Sequence, residues 1–249
     1  IVEANRNTIS GAAEGSGFGI RSSKVTANDN VIGPIGGWNG LWIYGESDVS
    51  AENNTIQDTA KEAVLIGEYH FNDDGWNVPT PTAARLYFAN NQISNNTGIC
   101  SSQMYGGDFA CPAIHMFMSS ATLYDNTVTN NGGDGMRIKG SIVNAQRNTM
   151  EVSGFAANIS MFDDNYGNKY GSIAYFSGNS YSNASQIYNI TESRVIVQSE
   201  FIPDAGGNEL YPVSLRWLGP ECPYVIDECL IVPSTAIMPP AFMPMALEV

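Results

Sequence analysis

Positively charged residues are scarce in this chain. Its 249 residues include 11 lysines and arginines against 25 aspartates and glutamates, which gives a formal net charge of −14. Proteins that bind nucleic acid need a basic surface to meet the phosphates. The composition therefore argues against a nucleic-acid partner. The acidity favours solubility and indicates no other partner.

Long apolar runs are also missing. No segment is long and apolar enough to span a bilayer, and no basic-then-apolar signal opens the chain. We therefore predict no membrane-spanning segment. The chain begins without methionine at Ile1, already inside a repeated pattern. We expect it to be a processed piece of a longer protein, with further coils before residue 1.

Cysteine and histidine are few. The four cysteines form two close pairs, and neither pair has the spacing of a zinc knuckle. We predict two local disulfides, Cys100–Cys111 and Cys222–Cys229, formed in an oxidising, extracellular compartment. With paired cysteines and two histidines, the chain has no nucleophile-and-base pattern of a serine or cysteine hydrolase.

Asn-X-Ser/Thr sequences permit glycosylation at five positions, which are Asn53, Asn95, Asn158, Asn183 and Asn189. Chance produces such sequences in a chain rich in asparagine, serine and threonine. They agree with secretion and do not establish it.

Asparagine recurs at one fixed place in a repeated phrase. The phrase is an apolar residue, asparagine five positions later, and a second apolar residue two positions after that. Its copies are Val2-Asn7-Ile9, Val25-Asn30-Ile32, Val49-Asn54-Ile56, Leu86-Asn91-Ile93, Ala121-Asn126-Val128, Val143-Asn148-Met150 and Ala174-Asn179-Tyr181, with Val195-Glu200-Ile202 as an eighth that lacks asparagine. The shortest returns are 21 to 24 residues, the length of one solenoid coil. We predict that the asparagines stack and bond each other's amides, each bond contributing about 1 kcal/mol net.

Each coil is predicted to contain three short strands. In the second coil these are residues 25–27, 30–32 and 41–44, with a Gly-Pro-rich break before the third. The period of two and the abundance of poor helix formers favour strands over an amphipathic helix. The third strand recurs at Phe18-Gly-Ile20, Val64-Leu-Ile66, Ile114-His-Met116, Met136-Arg-Ile138 and Ile159-Ser-Met161.

Phrases such as Val49-Ser-Ala-Glu-Asn-Asn-Thr-Ile56 and Asp134-Gly-Met-Arg-Ile-Lys-Gly-Ser141 resemble the repeats of right-handed parallel β-helix, or pectin-lyase-like, proteins. The resemblance covers residues 1–202 and implies an all-β solenoid of about eight coils. It specifies a fold and no function, because lyases, hydrolases, epimerases, phage spikes and surface proteins share it. Residues 203–249 hold eight of the twelve prolines and lack the asparagine phrase. We predict an irregular, disulfide-stapled cap or linker there.

Alternate residues of the third strand are predicted to point outward and to stack across coils. One outward column is Gly19, Trp42, Leu65, His115 and Arg137, and the next is Arg21, Tyr44, Gly67, Phe117 and Lys139, extended to Phe162. Aromatic rings beside arginine and lysine suit the apolar faces of sugars and the anionic groups of acidic glycans. The predicted binding residues are Trp42, Tyr44, His115, Phe117, Arg137 and Lys139.

Two insertions, residues 67–84 and 94–112, border the same sheet and are predicted to wall a groove above these residues. The competing interpretation is that the outward aromatics pack beneath the insertions. The sequence does not decide between glycan contact and loop packing.

Catalysis is the alternative to simple binding. Polygalacturonase-type β-helix hydrolases carry Asn-Thr-Asp, Asp-Asp, Gly-His-Gly and Arg-Ile-Lys in that order, and this chain has Asp73-Asp74, His115 and Arg137-Ile-Lys139. It lacks Asn-Thr-Asp and the glycines beside the histidine, and its Asp-Asp lies in an insertion. Glycoside hydrolysis needs two carboxyls at a defined separation, whereas the outward columns are continued by Glu46 alone. The catalytic residues stay unassigned.

A polysaccharide lyase would need calcium. Asp73-Asp74 and Asp163-Asp164-Asn165 are rich in oxygen but lack the spacing of a calcium loop. Solvated turn acids explain them more simply. We predict no metal site and no cofactor, and calcium is the one ion left open.

The sequence favours a non-catalytic, extracellular surface module, adhesive or structural, that contacts acidic glycans or another cell-surface partner. The alternative function is a polysaccharide lyase or glycoside hydrolase acting on an acidic polysaccharide between the two insertions. An uncapped first coil would expose a sheet edge, so self-assembly through the solenoid ends is a further expectation.

Overall fold

The computed structural model describes residues 1–71, 77–80, 84–100, 109–163, 169–184, 186–191, 193–203 and 210–218. These residues form a parallel β-helix, because each strand of a coil pairs in parallel with its counterpart in the next coil. The all-β solenoid predicted from the repeated phrase is confirmed. Its right-handed winding, the usual hand of parallel crossovers, stays a prediction.

The first ladder of parallel strands begins at the first apolar residue of each phrase. The paired residues run Val25, Val49, Leu86 and Ala121, and the register continues without a slip to the end of the ladder. Alternate side chains enter the core, as a half-buried strand requires. Its strands are Val2–Glu3, Lys24–Asn28, Asp48–Glu52, Arg85–Ala89, Ser120–Tyr124, Ile142–Gln146, Ile173–Ser177 and Arg194–Pro203.

The second ladder follows the asparagine of each phrase. Its inward residue is the last apolar residue of the phrase, so that Ile32, Ile56 and Ile93 lie in register and are buried. Arg194–Pro203 joins the two ladders through pairing of Phe201 with Ser180. The strands are Thr8–Ile9, Val31–Ile32, Thr55–Gln57, Gln92–Ser94, Thr127–Asn131, Thr149–Val152 and Ser180–Ser182.

The third ladder forms a separate seven-stranded sheet and supplies the outward columns. Leu41, Val64, Ile114 and Met136 follow one another in register on its inner face and are buried. Its strands are Phe18–Arg21, Leu41–Tyr44, Val64–Ile66, Ile114–Phe117, Met136–Lys139, Phe155–Ser160 and Gln186–Thr191.

Short antiparallel pairs interrupt the coils. The first insertion holds the pair Glu68–Phe71 and Asn77–Thr80, and the second holds Ile99–Cys100 and Phe109–Ala110. A third pair is Phe162–Asp163 with Lys169–Tyr170. Leu210–Leu218 pairs antiparallel with Arg194–Pro203, the last parallel strand among the described residues. The division at residue 202 into solenoid and cap stays a prediction.

The predicted stack of asparagines is confirmed at the corner between the first and second ladders of strands; we call it the asparagine ladder. The Nδ2 amide of each phrase asparagine donates to Oδ1 of the next over 2.9–3.0 Å, and the backbone amide of each donates to the same oxygen. The second Nδ2 hydrogen reaches a carbonyl of the preceding coil, as from Asn91 to Ala51 over 2.9 Å. Each interior asparagine therefore satisfies three groups of the preceding coil, namely the two amides that donate to its Oδ1 and the carbonyl that accepts from its Nδ2.

Left-handed backbone at one position makes the ladder possible. The residue before each phrase asparagine has a positive φ, from 53° at Asp125 and Arg147 to 63° at Gly178. Asparagine, aspartate and glycine tolerate that conformation best, and they fill most of these positions. The sharp corner turns the chain from the first ladder into the second and aims the asparagine inward.

A serine ladder, which the sequence analysis did not predict, lies at the corner between the third and first sheets. The backbone amides of Ser119, Ser141 and Ser172 donate to the hydroxyl oxygens of Ser141, Ser172 and Ser193 over 3.2 Å. Ser47 accepts from Ser23 in the same way over 3.4 Å. The signal was available, because these serines stand two residues before the phrase's first apolar residue.

Candidate functional site

The first predicted outward column is confirmed in register. Gly19 pairs with Trp42, Trp42 with Leu65, Leu65 with His115, and His115 with Arg137. The spiral therefore makes vertical neighbours of residues that are up to 118 positions apart in the chain, counted from Gly19 to Arg137.

The second predicted column is confirmed in part. Arg21 pairs with Tyr44, and Phe117 pairs with Lys139. The extension to Phe162 is wrong, because Lys139 pairs with Ser160. That strand begins earlier than the sequence indicated, and Phe162 instead starts the short pair with Tyr170.

Exposure divides the six predicted binding residues. Trp42 and Tyr44 are partly exposed, whereas His115 is 0% and Phe117 2% exposed. The expectation that His115 and Phe117 face solvent is therefore wrong in this structure. Arg137 and Lys139 are partly buried. The surface that can meet a large ligand lies at the Trp42 end of the sheet.

Part of the covering comes from the second insertion. The guanidinium of Arg137 lies 4.0 Å from the centre of the Phe109 ring, and Phe109 belongs to that insertion. The His115 and Phe117 rings lie 4.0 Å apart, centre to centre. Loop packing, the competing interpretation of the outward aromatics, thus holds in the middle of the sheet.

At the other end, five side chains form a continuous row on the outer face, which we call the aromatic row. The Trp42 and Tyr44 rings stack with centres 4.4 Å apart, and Trp38 lies 5.9 Å from Trp42. Arg21 lies 5.6 Å from the Tyr44 ring centre, and Lys61 lies 5.0 Å from that of Trp38. A cation therefore stands at each end of three aromatic rings.

The aromatic row is rigid and partly open. The Trp42 indole nitrogen donates to the carbonyl of Gly67 over 3.1 Å, which fixes the ring edge. Trp38 keeps 42% of its surface exposed, an unusual amount for so large an apolar side chain. The three rings pack against one another along the outer face, and each keeps part of its surface exposed to a ligand.

Gly19 leaves a slot beside Trp42. It pairs with Trp42 in the outward column but has no side chain, and a Cβ built on it would meet no atom within 4 Å. Arg21 follows on the same strand and is exposed. Gly19 lies on an edge strand of the described sheet, so the slot has a backbone floor, an indole on one side, and Arg21 two residues along the same strand.

At the corner before the third ladder lies a stack of polar residues, of which Asn39, Glu62 and His115 are buried. Asn39 donates to Oε2 of Glu62 over 2.8 Å, and Oε1 of Glu62 lies 2.9 Å from Nδ1 of His115. Ser16, one coil earlier, lies 3.5 Å from the Asn39 carbonyl oxygen. Ser16, Asn39 and Glu62 each stand two residues before the first inward residue of a third strand, so the solenoid aligns them.

Burial decides the protonation of the Glu62–His115 pair. Loss of solvation lowers the pKa of His115 from 6.5 to about 4, against the opposing effect of Glu62. Loss of solvation raises the pKa of Glu62, but the hydrogen bond and charge interaction with His115 outweigh it, so its pKa is lowered overall. The pair is therefore a carboxylate that accepts a hydrogen bond from the Nδ1 proton of a neutral imidazole.

Arg137 is engaged from below by Asp134. Its Nε and Nη2 atoms lie 3.0 and 2.7 Å from Oδ2 of Asp134, and Oδ1 of that carboxylate accepts the backbone amide of Phe155 over 3.0 Å. Burial lowers the pKa of the nearby Lys139, and repulsion by Arg137 lowers it further. The arginine predicted to clamp a substrate carboxylate already holds one of the protein's own.

The geometry gives the catalytic alternative little support. Glu62 and Asp134 contact the histidine and arginine of the column, and both carboxylates are buried and accept hydrogen bonds from the protein itself. Glycoside hydrolysis needs two carboxyls that reach the glycosidic bond. Asp73, Asp74, Asp164 and Asn165 lie outside the described residues, so the calcium hypothesis is not tested.

The disulfide predicted between Cys100 and Cys111 is present, with an S–S distance of 2.12 Å. Cys222 and Cys229 lie outside the described residues. One carboxylate oxygen of Glu62 and the two sulfur atoms lie within 4.8 Å of one another. Glu62 is thus both a partner of His115 and a neighbour of the disulfide.

Sequence reasoning missed Trp38, Lys61, Glu62 and Asp134. Trp38 and Lys61 lie in the turns between the second and third ladders, which have no repeated phrase. Glu62 and Asp134 stand two residues before inward third-strand residues, and this fixed spacing could have marked them.

Comparisons with known proteins add little. No family model and no curated protein matches the chain. A solved structure described as Geobacillus virus E2 ORF18 aligns with 81% of this chain and 43% of its own length, at 13% sequence identity and a TM-score of 0.38. The chain thus spans less than half of that structure, and a likeness this weak carries no argument. Within the described residues, no helix is long and apolar enough to cross a membrane.

Proposed function

We propose that this protein is a rigid, non-catalytic surface module that binds acidic glycans at the aromatic row. The observation that carries the proposal is the row itself, three aromatic rings with Arg21 at one end and Lys61 at the other. Apolar ring surface meets the C–H faces of sugars, and the cations meet carboxylate or sulfate groups.

The slot over Gly19 is the proposed position of one sugar unit. It is open, it lies beside Trp42, and Arg21 stands at its edge. The parallel sheet beneath holds these groups in fixed register, which reduces the ordering cost of binding. Glu46 is also exposed near the row, so we expect the anionic groups of a ligand to lie near Arg21 and Lys61 and away from Glu46.

An extracellular location is part of the proposal. The buried Cys100–Cys111 disulfide supports it, because such bonds persist in oxidising compartments. The asparagine ladder and the parallel stacking also support, within the β-helix proteins, a place among the pectin-lyase-like group. The engaged state of His115 and Arg137 favours binding over cleavage.

Calorimetric titration with oligosaccharides tests the proposal. We expect oligogalacturonate or a sulfated oligosaccharide to bind, and neutral dextran oligosaccharides to bind at least tenfold more weakly. Arg21→Gln should reduce the affinity for the acidic ligand alone, since it removes the cation and keeps the aromatic rings. No binding by any acidic ligand in the panel would refute the proposed function.

Gly19→Leu is the sharpest variant. Its φ is not in the left-handed region and its Cβ meets nothing, so the fold should tolerate the change while the side chain fills the slot. We expect binding to fall at least tenfold with an unchanged Tm. Thr26→Leu, on the outer face of the first ladder in the next coil, is the matched control and should bind normally. Equal affinity of the two variants would exclude the slot.

The same incubations separate binding from catalysis. Product analysis for new reducing ends and unsaturated sugars should find neither after prolonged incubation. If the parent formed such products and Arg137→Ala did not, the protein would be a lyase or hydrolase and the proposed non-catalytic function would be wrong.

A further inference from the structure

A carboxylate lies beside a disulfide at the corner between the second insertion and the third ladder. Glu62, Cys100 and Cys111 bring one carboxylate oxygen and two sulfur atoms within 4.8 Å of one another. All three residues are at most 2% exposed. Thiolate and carboxylate are both common ligands of zinc, and three protein ligands are enough for a site.

We propose that this corner is a redox-gated metal site, in which Cys100, Cys111 and Glu62 bind one zinc ion once the disulfide has been reduced. In the oxidised protein the two sulfurs are bonded to each other and the site is closed. The proposal is independent of the glycan-binding function, because the aromatic row contributes no ligand.

The reaction has two balanced steps. Two molecules of an external thiol reduce the Cys100–Cys111 disulfide to two thiols and leave as an external disulfide. Zinc then displaces one proton from each thiol and forms two zinc–sulfur bonds, with Glu62 as the third ligand. Affinity therefore rises with pH, because the protons compete with the metal.

The charge at the corner supports this exchange. The oxidised corner holds one buried negative charge, that of Glu62. Two thiolates add two negative charges and the zinc ion adds two positive ones, so the net charge of the metal-bound corner is the same. The fold already stabilises one buried negative charge there, through Asn39 and His115.

The carboxylate is also held in place before any metal arrives. Asn39 donates to one oxygen, and His115 donates to the other. Outer hydrogen bonds of this kind orient metal ligands and raise affinity. Glu62 is thus a prepared ligand, with His115 as its positioning residue.

A reductant can reach the pair through the insertion. Cys100 is buried, but its neighbour Ile99 is 66% exposed on the same short strand. Among the described residues, the strand Ile99–Cys100 is paired with Phe109–Ala110 over two residues, so we expect local opening of this short pair to expose the disulfide at low cost.

Cobalt titration of the reduced protein is the test. All samples carry Cys222→Ser and Cys229→Ser, so that Cys100 and Cys111 are the thiols measured. After reduction with dithiothreitol and anaerobic desalting, we expect one Co²⁺ per chain, with a thiolate-to-cobalt charge-transfer band that zinc abolishes. The oxidised sample should show no band. A reduced protein without the band would overturn the proposal.

Glu62→Gln tests the third ligand. It keeps the size of the side chain and one acceptor oxygen, places an NH2 group where the second carboxylate oxygen accepts a hydrogen bond, and removes the negative charge, so we expect at least a tenfold loss of zinc affinity. Glu52→Gln, a partly exposed glutamate of the first ladder, is the matched control and should bind as the parent does. Equal affinity of Glu62→Gln and the parent would reduce the site to two thiols and overturn the assignment.

Melting curves cover the case in which reduction unfolds the chain. A site that binds zinc only when formed must raise the Tm of the reduced protein as zinc is added. We expect that rise in the parent and not in Glu62→Gln. A Tm of the reduced parent that does not respond to zinc would also overturn the proposal.

Discussion

Two of the three corners of a coil differ in how their residues repeat from coil to coil. The corner between the first and second ladders repeats asparagine in coil after coil, and every copy makes the same bonds. The corner before the third ladder holds Ser16, Asn39, Glu62, Pro112 and Asp134 at corresponding positions. The first corner stabilises the spiral, whereas the second has diversified into charges, a disulfide neighbour and a histidine pair.

This difference between the two corners shows which positions of a solenoid coil can change and so acquire a function. A self-complementary ladder tolerates little change, because each asparagine satisfies groups in two other coils. The third-ladder corner repeats no single residue type, so the hydrogen bonds that join its coils differ from one coil to the next. Variants at the two corners should therefore differ in both the size and the pH dependence of their effects.

The largest effect is expected at the asparagine ladder. Asn91→Ala removes an acceptor for the backbone and side-chain amides of Asn54, and donors to Asn126 and Ala51. Several buried groups lose their partners at 1–3 kcal/mol each, so the free energy of unfolding should fall by about 4 kcal/mol. Urea denaturation at pH 7 measures it.

Gln92→Ala is the control for that variant. It follows Asn91 directly, as the first residue of the strand Gln92–Ser94, but is exposed. Its unfolding free energy should change by no more than about 0.5 kcal/mol. A loss below about 1 kcal/mol in Asn91→Ala would mean that the ladder is not a main source of stability.

The second prediction concerns the charged corner and pH. The pKa of His115 falls from 6.5 to about 4 on folding, so below pH 6.5 the unfolded chain binds a proton that the folded chain does not. Stability therefore decreases as the pH falls from about 6.5 towards 4, by about 2 kcal/mol between pH 7 and pH 5. Urea denaturation of the oxidised protein with a chelator present, at both pH values, measures the decrease.

His115→Gln isolates this contribution. Its amide can still donate to Glu62, but it does not titrate, so the decrease between pH 7 and pH 5 should shrink by most of that amount. Asn91→Ala, although less stable, should keep the pH dependence of the parent. An unchanged pH dependence in His115→Gln would show that the histidine is not buried in its neutral form.

The smallest effect is expected at the serine ladder. Ser141 accepts from the backbone amide of Ser119 and donates to the carbonyl of Lys139. Ser141→Ala should lower the unfolding free energy by about 1 kcal/mol, since one coil, at Ala84, already lacks the serine. Ser120→Ala, a partly exposed neighbour, is the control and should be nearly neutral. If Ser141→Ala lowered the unfolding free energy as much as Asn91→Ala does, the asparagine ladder would not be more important for stability than the serine ladder.

The fold could be predicted because its information is repeated. Each apolar residue and each asparagine recurs at a fixed spacing, and parallel pairing in register places identical positions above one another. The strand Phe155–Ser160 was misplaced because its inward residue at position 157 is alanine, a weak hydrophobic signal. That error carried Phe162 into the wrong column.

The candidate site was predictable only in part. The outward order of Trp42, His115 and Arg137 follows from register alone, and it was correct. Their exposure depends on how the insertions pack, and nothing in the local sequence encodes that packing. Glu62 was missed because its partner His115 is 53 residues away and meets it only when the coils stack.

Side-chain amide hydrogen exchange, followed by NMR, tests the central claim most directly. The stacked spiral predicts strong protection of the Nδ2 protons of Asn54, Asn91 and Asn126, which are buried in the ladder, and fast exchange at the exposed Asn95. Equal and rapid exchange at all four asparagines would contradict the stacking on which the aromatic row, the Gly19 slot and the Glu62 corner depend.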